Sequence, residues 1–266
     1  MAIGKKEQRI VAIVWIIGII LAWELTSFLL NYVIHDPMAA TKLPYPHTVA
    51  ITFLENWKML LEAGAVTFSR AAIGFALGTG VGIFLAVLMS LSKTMEKIAF
   101  PYLIISQMIP VLGLAPIIFN IVRDMNVSRI VIAAYITFFP VSVNMLSGLK
   151  SVEQEKKDLL FSIAANKYKV YQKLMFPFSM AYLFTGLKIA APMAVTASIL
   201  VDMLGSKSGI GVKILYSLYS NSATIFWASV LTSAFMGIIS FYMVVFAERL
   251  CLPWQNTAPR KEGVRA

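Results

Sequence analysis

Six apolar runs, each near or beyond membrane-crossing length, constrain this chain more than any other feature. They occupy residues 10–30, 66–91, 100–121, 130–149, 181–204 and 225–246. About 20 helical residues cover about 30 Å of hydrocarbon, so each run can span a bilayer. Hydrocarbon offers the backbone no hydrogen-bond partners, and an isolated run satisfies its own only as a helix. The composition agrees, at 59% hydrophobic and 14% charged, against roughly 25% charged in ordinary globular domains. The expected fold class is an all-α integral membrane protein with six transmembrane helices. That is too many spans for a signal peptide followed by a soluble body.

Polar and special residues inside the runs are few. Glu24 falls in the far third of the first run, where an acid must face protein or water. Small residues crowd the second run, and Gly74 with Gly78 would let another helix approach closely. Pro101, Pro110 and Pro116 interrupt the third run. A broken helix at membrane depth is tolerated inside protein or beside a cavity, which predicts a central position for it. Pro140 and Asn144 lie in the fourth run, and Pro192 and Asp202 in the fifth. The 31–65 connection holds Leu43-Pro44-Tyr45-Pro46, extended by its prolines, and a short amphipathic helix over 48–62. Ser208-Gly209-Ile210-Gly211 lacks the spacing and the Lys-Ser/Thr pair of a phosphate loop; it reads as a turn before a short helix.

Six spans put both ends on one side. Lys5, Lys6, Arg9, Lys93, Lys97, the lysines of 150–173, Arg249, Arg260, Lys261 and Arg265 fall on that side. The other holds Lys42, Lys58, Arg123, Arg129, Lys207 and Lys213, with Arg70 and Lys188 near span ends left out of the count. Basic residues favour the cytoplasm, so both termini are expected there, in a multi-pass plasma or inner membrane protein. The net charge of +10 is thereby a signal of orientation, not of nucleic-acid binding. The single Cys251 excludes an internal disulfide or a cysteine metal cluster. His35 and His47 share one loop, and no metal site is read there. No P-loop, Ser/His/Asp set or H-E-x-x-H motif is present. A membrane enzyme is therefore disfavoured, no catalytic residue is assigned, and no cofactor is expected on this chain.

A lysine-rich polar interruption covers residues 158–177. Leu159, Leu160, Ile163 and Ala164 share one helical face, and Tyr168, Tyr171, Gln172 and Met175 another. Ala164-Ala165-Asn166 separates them, with Asn166 suited to cap the second half. Two short amphipathic helices joined at a bend on the membrane surface are predicted. Such an element is too short to be a domain, but it can transmit force if a soluble partner grips it.

This element resembles the coupling loop of ABC-transporter permease subunits, whose pattern is Glu-Ala-Ala, three residues, Gly, nine residues, Ile-x-Leu-Pro. Counting back from Pro177 places the hydrophobic pair on Leu174 and Phe176, the glycine on Ala164, and Glu-Ala-Ala on Asp158-Leu159-Leu160. Other motifs are similar to the subgroup importing nitrate, taurine, sulfonates, thiamine precursors or riboflavin. They are Trp23-Glu24, Leu43-Pro44-x-Pro46, Thr67 with Arg70, Gly74-Phe75, Ile109-Pro110 through Pro116, Gly186-Leu187-Lys188, Ser208-Gly209-Ile210-Gly211, and Glu248-Arg249 through Trp254. Asp202 stands where that subgroup usually has Glu.

The resemblance implies a type I importer permease fold and alternating access. It also implies a permease homodimer, separate ABC ATPase subunits carrying ATP and Mg, and an extracytoplasmic substrate-binding protein. It assigns coupling to Asp158, Leu159, Leu160, Ala164, Ala165, Asn166, Lys167, Tyr168, Tyr171 and Pro177 within a loop over 150–177. For the substrate pathway the residues point to Met108, Pro110, Asn144 and Met193, with Asp202 near the outer mouth. The expected organisation is a first span and connection over 1–65, a core over 66–250, and a tail over 251–266 that frays after Trp254. An ATP-independent carrier or channel is the alternative.

Overall fold

The computed structural model describes residues 5–35 and 38–253, and no strand occurs among them. Helix α1 (Lys5–Phe28) continues through one wide turn, Leu29–Val33. Two short helices follow, α2 (Ala39–Lys42) and α3 (Pro46–Glu55). The middle of the chain is α4 (Trp57–Leu91), α5 (Lys93–Met108), α6 (Val111–Val122) and α7 (Met125–Lys150). The polar interruption holds α8 (Gln154–Ser162) and α9 (Lys167–Val170). A second wide turn, Tyr171–Met175, leads into α10 (Phe176–Met203), then α11 (Ile210–Tyr219) and α12 (Ala223–Cys251). The tail expected to fray after Trp254 lies outside the described residues.

Among the described residues, five helical stretches are individually long and apolar enough to cross a membrane, and α5 with α6 forms a pair bent by 99°. The packing of α4 on α7 decides what that pair does. A Cβ on Gly74 would sit 2.5 Å from Ala133 Cβ, one on Gly78 2.5 Å from the Ala134 carbonyl oxygen, and one on Gly82 2.8 Å from Val141 Cβ. The contacts advance in the same direction along both helices, so α4 and α7 are parallel. The chain therefore leaves α4 on one face and enters α7 on the opposite face. Only α5 and α6 lie between, so together they cross once, as a broken span. Six crossings result, and the described ends of α1 and α12 share one face, here called the terminal face.

Helix α10 runs antiparallel to α7. Gly148 abuts Tyr182, and Gly186 abuts Pro140 and Asn144. Inside a bilayer close packing replaces the hydrophobic drive, and small residues at these crossings let the backbones meet. The buried core of Ala86, Met89, Val141, Met145, Leu149 and Leu183 lies on the same three helices.

The kink between α5 and α6 has a local cause. Pro110 fixes its own φ and pushes Ile109 into extended backbone, and both residues are extended here. The end of α5 leaves carbonyls free, and the Tyr135 phenol of α7 donates to that of Ser106. The span is peripheral within this chain, not central as its prolines suggest. Leu103 and Ala115 are its buried residues, while Tyr102, Ile105, Met108, Ile117 and Ile121 are exposed.

Three further boundaries differ from expectation. The amphipathic helix expected over 48–62 breaks at Asn56, and its second part is the start of α4. Helix α7 starts at Met125, because the Asp124 carboxylate caps it by accepting from the amides of Asn126 and Val127 at 2.8 and 2.9 Å. The second of the two expected surface helices is not separate. It runs through the wide turn into α10, making one stretch over Lys167–Met203. In that turn the Phe176 amide donates to the Tyr171 carbonyl, slipping the ladder by one residue. Pro177 then stands in a first turn, where a missing N–H costs little.

The glycine ridge yields a paired expectation. Gly78→Ala should lower the stability of the purified chain by about 1–3 kcal/mol through overpacking. Gly80→Ala, with nothing within 4 Å of its Cβ position, should be neutral or stabilising by up to about 1 kcal/mol. Thermal unfolding in detergent checks both.

Candidate functional site

Two helices of the core are joined on the terminal face by the 150–177 segment. Helix α8 follows α7 after a short joint, and α9 feeds α10, so a force on α8 acts on both. Phe161 and Leu160 carbonyls accept from the amides of Ala164 and Ala165, each at 3.0 Å, which closes α8. Ala164 then turns the chain with φ +60, a left-handed conformation that suits glycine. This is the position where the permease pattern carries Gly. Asn166 caps α9 by accepting from the Lys169 amide at 2.8 Å. The predicted bend and cap are thus present.

The helix presents an apolar face outward, with Leu159 66% and Ile163 70% exposed, and Tyr168 beyond the bend is 70% exposed. Asp158 is exposed and accepts from Gln154 Nε2 at 2.8 Å. Leu160 and Ala165 are half-buried, while Ala164, Asn166, Lys167 and Pro177 are exposed. Tyr171 points back into the chain, its hydroxyl 3.1 Å from Ser90 Oγ of α4.

Across the membrane lies a buried polar cluster. Arg129 of α7 and Asp202 of α10 are each only 1% exposed, with Nε 3.1 Å from Oδ1. Thr67 of α4 donates to Asp202 Oδ2 at 2.5 Å and accepts from the Ile210 amide at 2.9 Å. Arg129 also donates to Ser206 Oγ at 3.1 Å and to the Ser208 carbonyl at 3.0 Å. One ion pair thereby joins α4, α7, α10 and the start of α11. Gly209 closes over it with φ +122, and a Cβ there would sit 2.1 Å from Asp202 Oδ2. The glycine motif therefore seats backbone against a carboxylate, and a phosphate has no place in it.

The five pathway residues are not gathered into one site. Met108 is 74% exposed at the end of α5, and Pro110 is exposed at the kink. Asn144 donates to the Pro140 carbonyl at 2.7 Å and lies against Gly186. Met193 is half-buried on α10. From Gly186 to Asp202 is about 24 Å of helix at 1.5 Å per residue, so Asn144 and Asp202 lie at different depths. Asp202 is enclosed by its partners rather than open to a path.

Other motifs pair up in space. Trp23 Nε1 donates to the Pro44 carbonyl at 3.0 Å, and Glu24 Oε1 lies 3.0 Å from His47 Nδ1. Arg70 donates to Asn126 Oδ1 at 2.8 Å. Lys188 of α10 donates to both Glu248 oxygens of α12 at 2.9 Å. Sequence reading missed Arg129, which it placed in a turn and counted as an outer charge. The available signal was the lone acid Asp202, since an intramembrane carboxylate needs a cation partner near its own depth.

Residues 78–250 match the family described as the binding-protein-dependent transport system inner membrane component. The chain belongs to that family. This permease is 30% identical over 190 residues to the formylaminopyrimidine transport permease protein of Halalkalibacterium halodurans, across 71% of this chain and 76% of the relative. It is 26% identical over 226 residues to a putative aliphatic sulfonates transport permease protein of Bacillus subtilis, across 83% and 80%. It is 25% identical over 187 residues to the nitrate import permease protein of a Synechocystis species, across 70% and 68%. Among solved structures, a chain of an amino acid ABC transporter superposes with a TM-score of 0.62 at 14% identity, covering 75% of this chain and 97% of that one. The inward-facing MetNI methionine ABC transporter gives 0.55 at 18%, covering 73% and 93%. The fold is that of type I ABC importer permeases, and the chain is a permease subunit of an ABC importer.

Two expectations follow for this permease. Arg129→Met leaves Asp202 buried without its cation and should cost about 3–5 kcal/mol. Adding Asp202→Asn should recover part of that loss, which a thermal double-mutant cycle reads directly. Ala164→Gly relieves the left-handed strain while adding unfolded-state freedom. It should stabilise the bend by a net of about 0.5–1 kcal/mol, seen as slower proteolytic nicking at 163–166.

Proposed function

We propose that this permease carries a small nutrient inward by alternating access, powered by a separate ATPase that grips α8. The carrying observation is the outward apolar face of Leu159 and Ile163, next to Tyr168, on a helix tied at both ends to core spans. A helix laid in a partner's groove is a general docking mode. Asp158, Leu160, Ala165, Asn166, Lys167 and Pro177 shape and frame that surface, and Tyr171 ties it to α4. ATP and Mg act on the partner, with none bound by this chain.

The basic residues of the terminal face support a cytoplasmic placement of α8 and of both termini. Burial of Arg129 removes one cation from the opposite count and strengthens that assignment. An extracytoplasmic binding protein delivers the substrate on the other face. A second copy of the permease supplies the other wall of the path. Broken backbone at membrane depth needs cover by protein or a cavity, and the kink at Ile109-Pro110 is exposed in the single chain. Met108, Pro110, Asn144 and Met193 then face or border the shared path, and Asp202 holds the outer end of its helices together. Relatives named for sulfonates, nitrate, formylaminopyrimidine and riboflavin support a substrate that is a sulfonate, taurine, nitrate, or a vitamin or its precursor.

Driving such a path from 1:99 to 99:1 requires about 5.5 kcal/mol of differential binding between its two states, within reach of an ATP-closed partner. Tyr168→Ala and Ala164→Glu should leave membrane insertion unchanged and reduce ATP-driven uptake by about tenfold or more, as expected for a central interface side chain worth about 1–2 kcal/mol. Uptake by the reconstituted transporter, measured beside ATP hydrolysis, tests this; wild-type uptake in both variants would refute it.

A further inference from the structure

Two cavities adjoin on the terminal face, behind α8. The first, of about 370 Å³, is lined by Lys93 and Lys97 of α5, Lys150 at the end of α7 and Lys157 of α8, with Met89 and Leu149 behind them. Its one acid, Glu96, is taken by Lys150. Lys93, Lys97 and Lys157 make no ion pair among the described residues. Helix α5 also begins here, adding the positive end of its dipole. Three lysines in excess of the one acid call for an anion from outside.

The second cavity, of about 600 Å³, is walled mainly by apolar groups, among them Val87, Leu91, Phe161 and Val170. Ser90, Lys157 and Met175 line both cavities. The basic pocket thus opens directly onto an apolar one, where the membrane helices α4 and α7 end. A free phosphate would use only the first cavity. A phospholipid uses both, its phosphate among the lysines and its glycerol and upper acyl segment in the apolar part.

We propose that this paired cavity binds one anionic phospholipid, with Lys93, Lys97 and Lys157 holding the headgroup. On α8 the two uses fall on different faces, and beyond the bend Lys167 and Tyr168 border the apolar cavity as well as the docking side. Lys157 and Phe161 are one turn apart and share a face, while Leu159 and Ile163 lie on the other. The lipid bridges the α4–α5 joint and α8, and so stiffens α8 against the core. The site does not depend on which partner grips the outer face.

Thermal unfolding of the full-length chain in neutral detergent, titrated with dioleoylphosphatidylglycerol, tests this. The wild type should be stabilised saturably, and Lys93→Gln/Lys97→Gln/Lys157→Gln should weaken the apparent affinity about tenfold or more. Lys157→Gln alone should weaken it measurably, which keeps the test open if the triple variant folds poorly. Lys169→Gln/Lys173→Gln, exposed lysines of the same segment outside both cavities, should respond as the wild type does. Phosphatidylcholine and inorganic phosphate should give no saturable shift. Equal stabilisation by phosphatidylcholine, an unaltered response in both Lys157 variants, or an equal loss in the 169/173 control would overturn the proposal. Stabilisation by inorganic phosphate matching that of the lipid would assign the pocket to a free anion instead.

Discussion

The close parallel contact of α4 with α7 is the constraint on which the rest of the structure depends. Gly74, Gly78 and Gly82 remove side chains on one ridge, and the backbone of α7 fills the space. Two parallel neighbours joined in sequence force the intervening chain back across the bilayer. Pro110 lets that return happen in two segments bent by 99°. The order of the remaining spans follows: α10 returns along α7, and α12 returns along α10 through Lys188 and Glu248.

This arrangement places the main polar features at the two ends of the bundle. On one face, the Arg129–Asp202–Thr67 cluster binds four elements through a buried ion pair and hydrogen bonds. A buried pair of this kind adds little net stability compared with an apolar substitute, yet it is costly to break. It therefore fixes which helices move together. On the other face, α8 is exposed, lightly packed and tethered to α7 and α10. Under the proposed coupling, a bundle locked at one end and free at the other would turn a push on α8 into a tilt rather than a local rearrangement.

Features governed by neighbours in sequence were legible before any coordinates. The spans, the proline kink, the Asn166 cap and the turn at Ala164 each follow from residues within one or two helical turns. The glycine spacing announced a close crossing, though not its partner or its direction. What stayed hidden depended on distant pairing. Arg129 looked like a loop cation because Asp124 starts α7 earlier than the hydropathy does. The second surface helix looked separate because the wide turn that carries it into α10 leaves no mark in composition. The motifs Trp23-Glu24, Thr67, Lys188 and Glu248 appeared as separate signals, and each has its reason in a partner more than 20 residues away.

The central claim is that α8 lies on the cytoplasmic face, where a soluble ATPase can reach it. Cysteine labelling in intact cells tests this most directly, using Ile163→Cys in a Cys251→Ser background and Ser220→Cys as the opposite-face reference. A membrane-impermeant maleimide should modify the reference at once and the Ile163→Cys variant only after permeabilisation. Modification of the Ile163→Cys variant in intact cells would contradict the account.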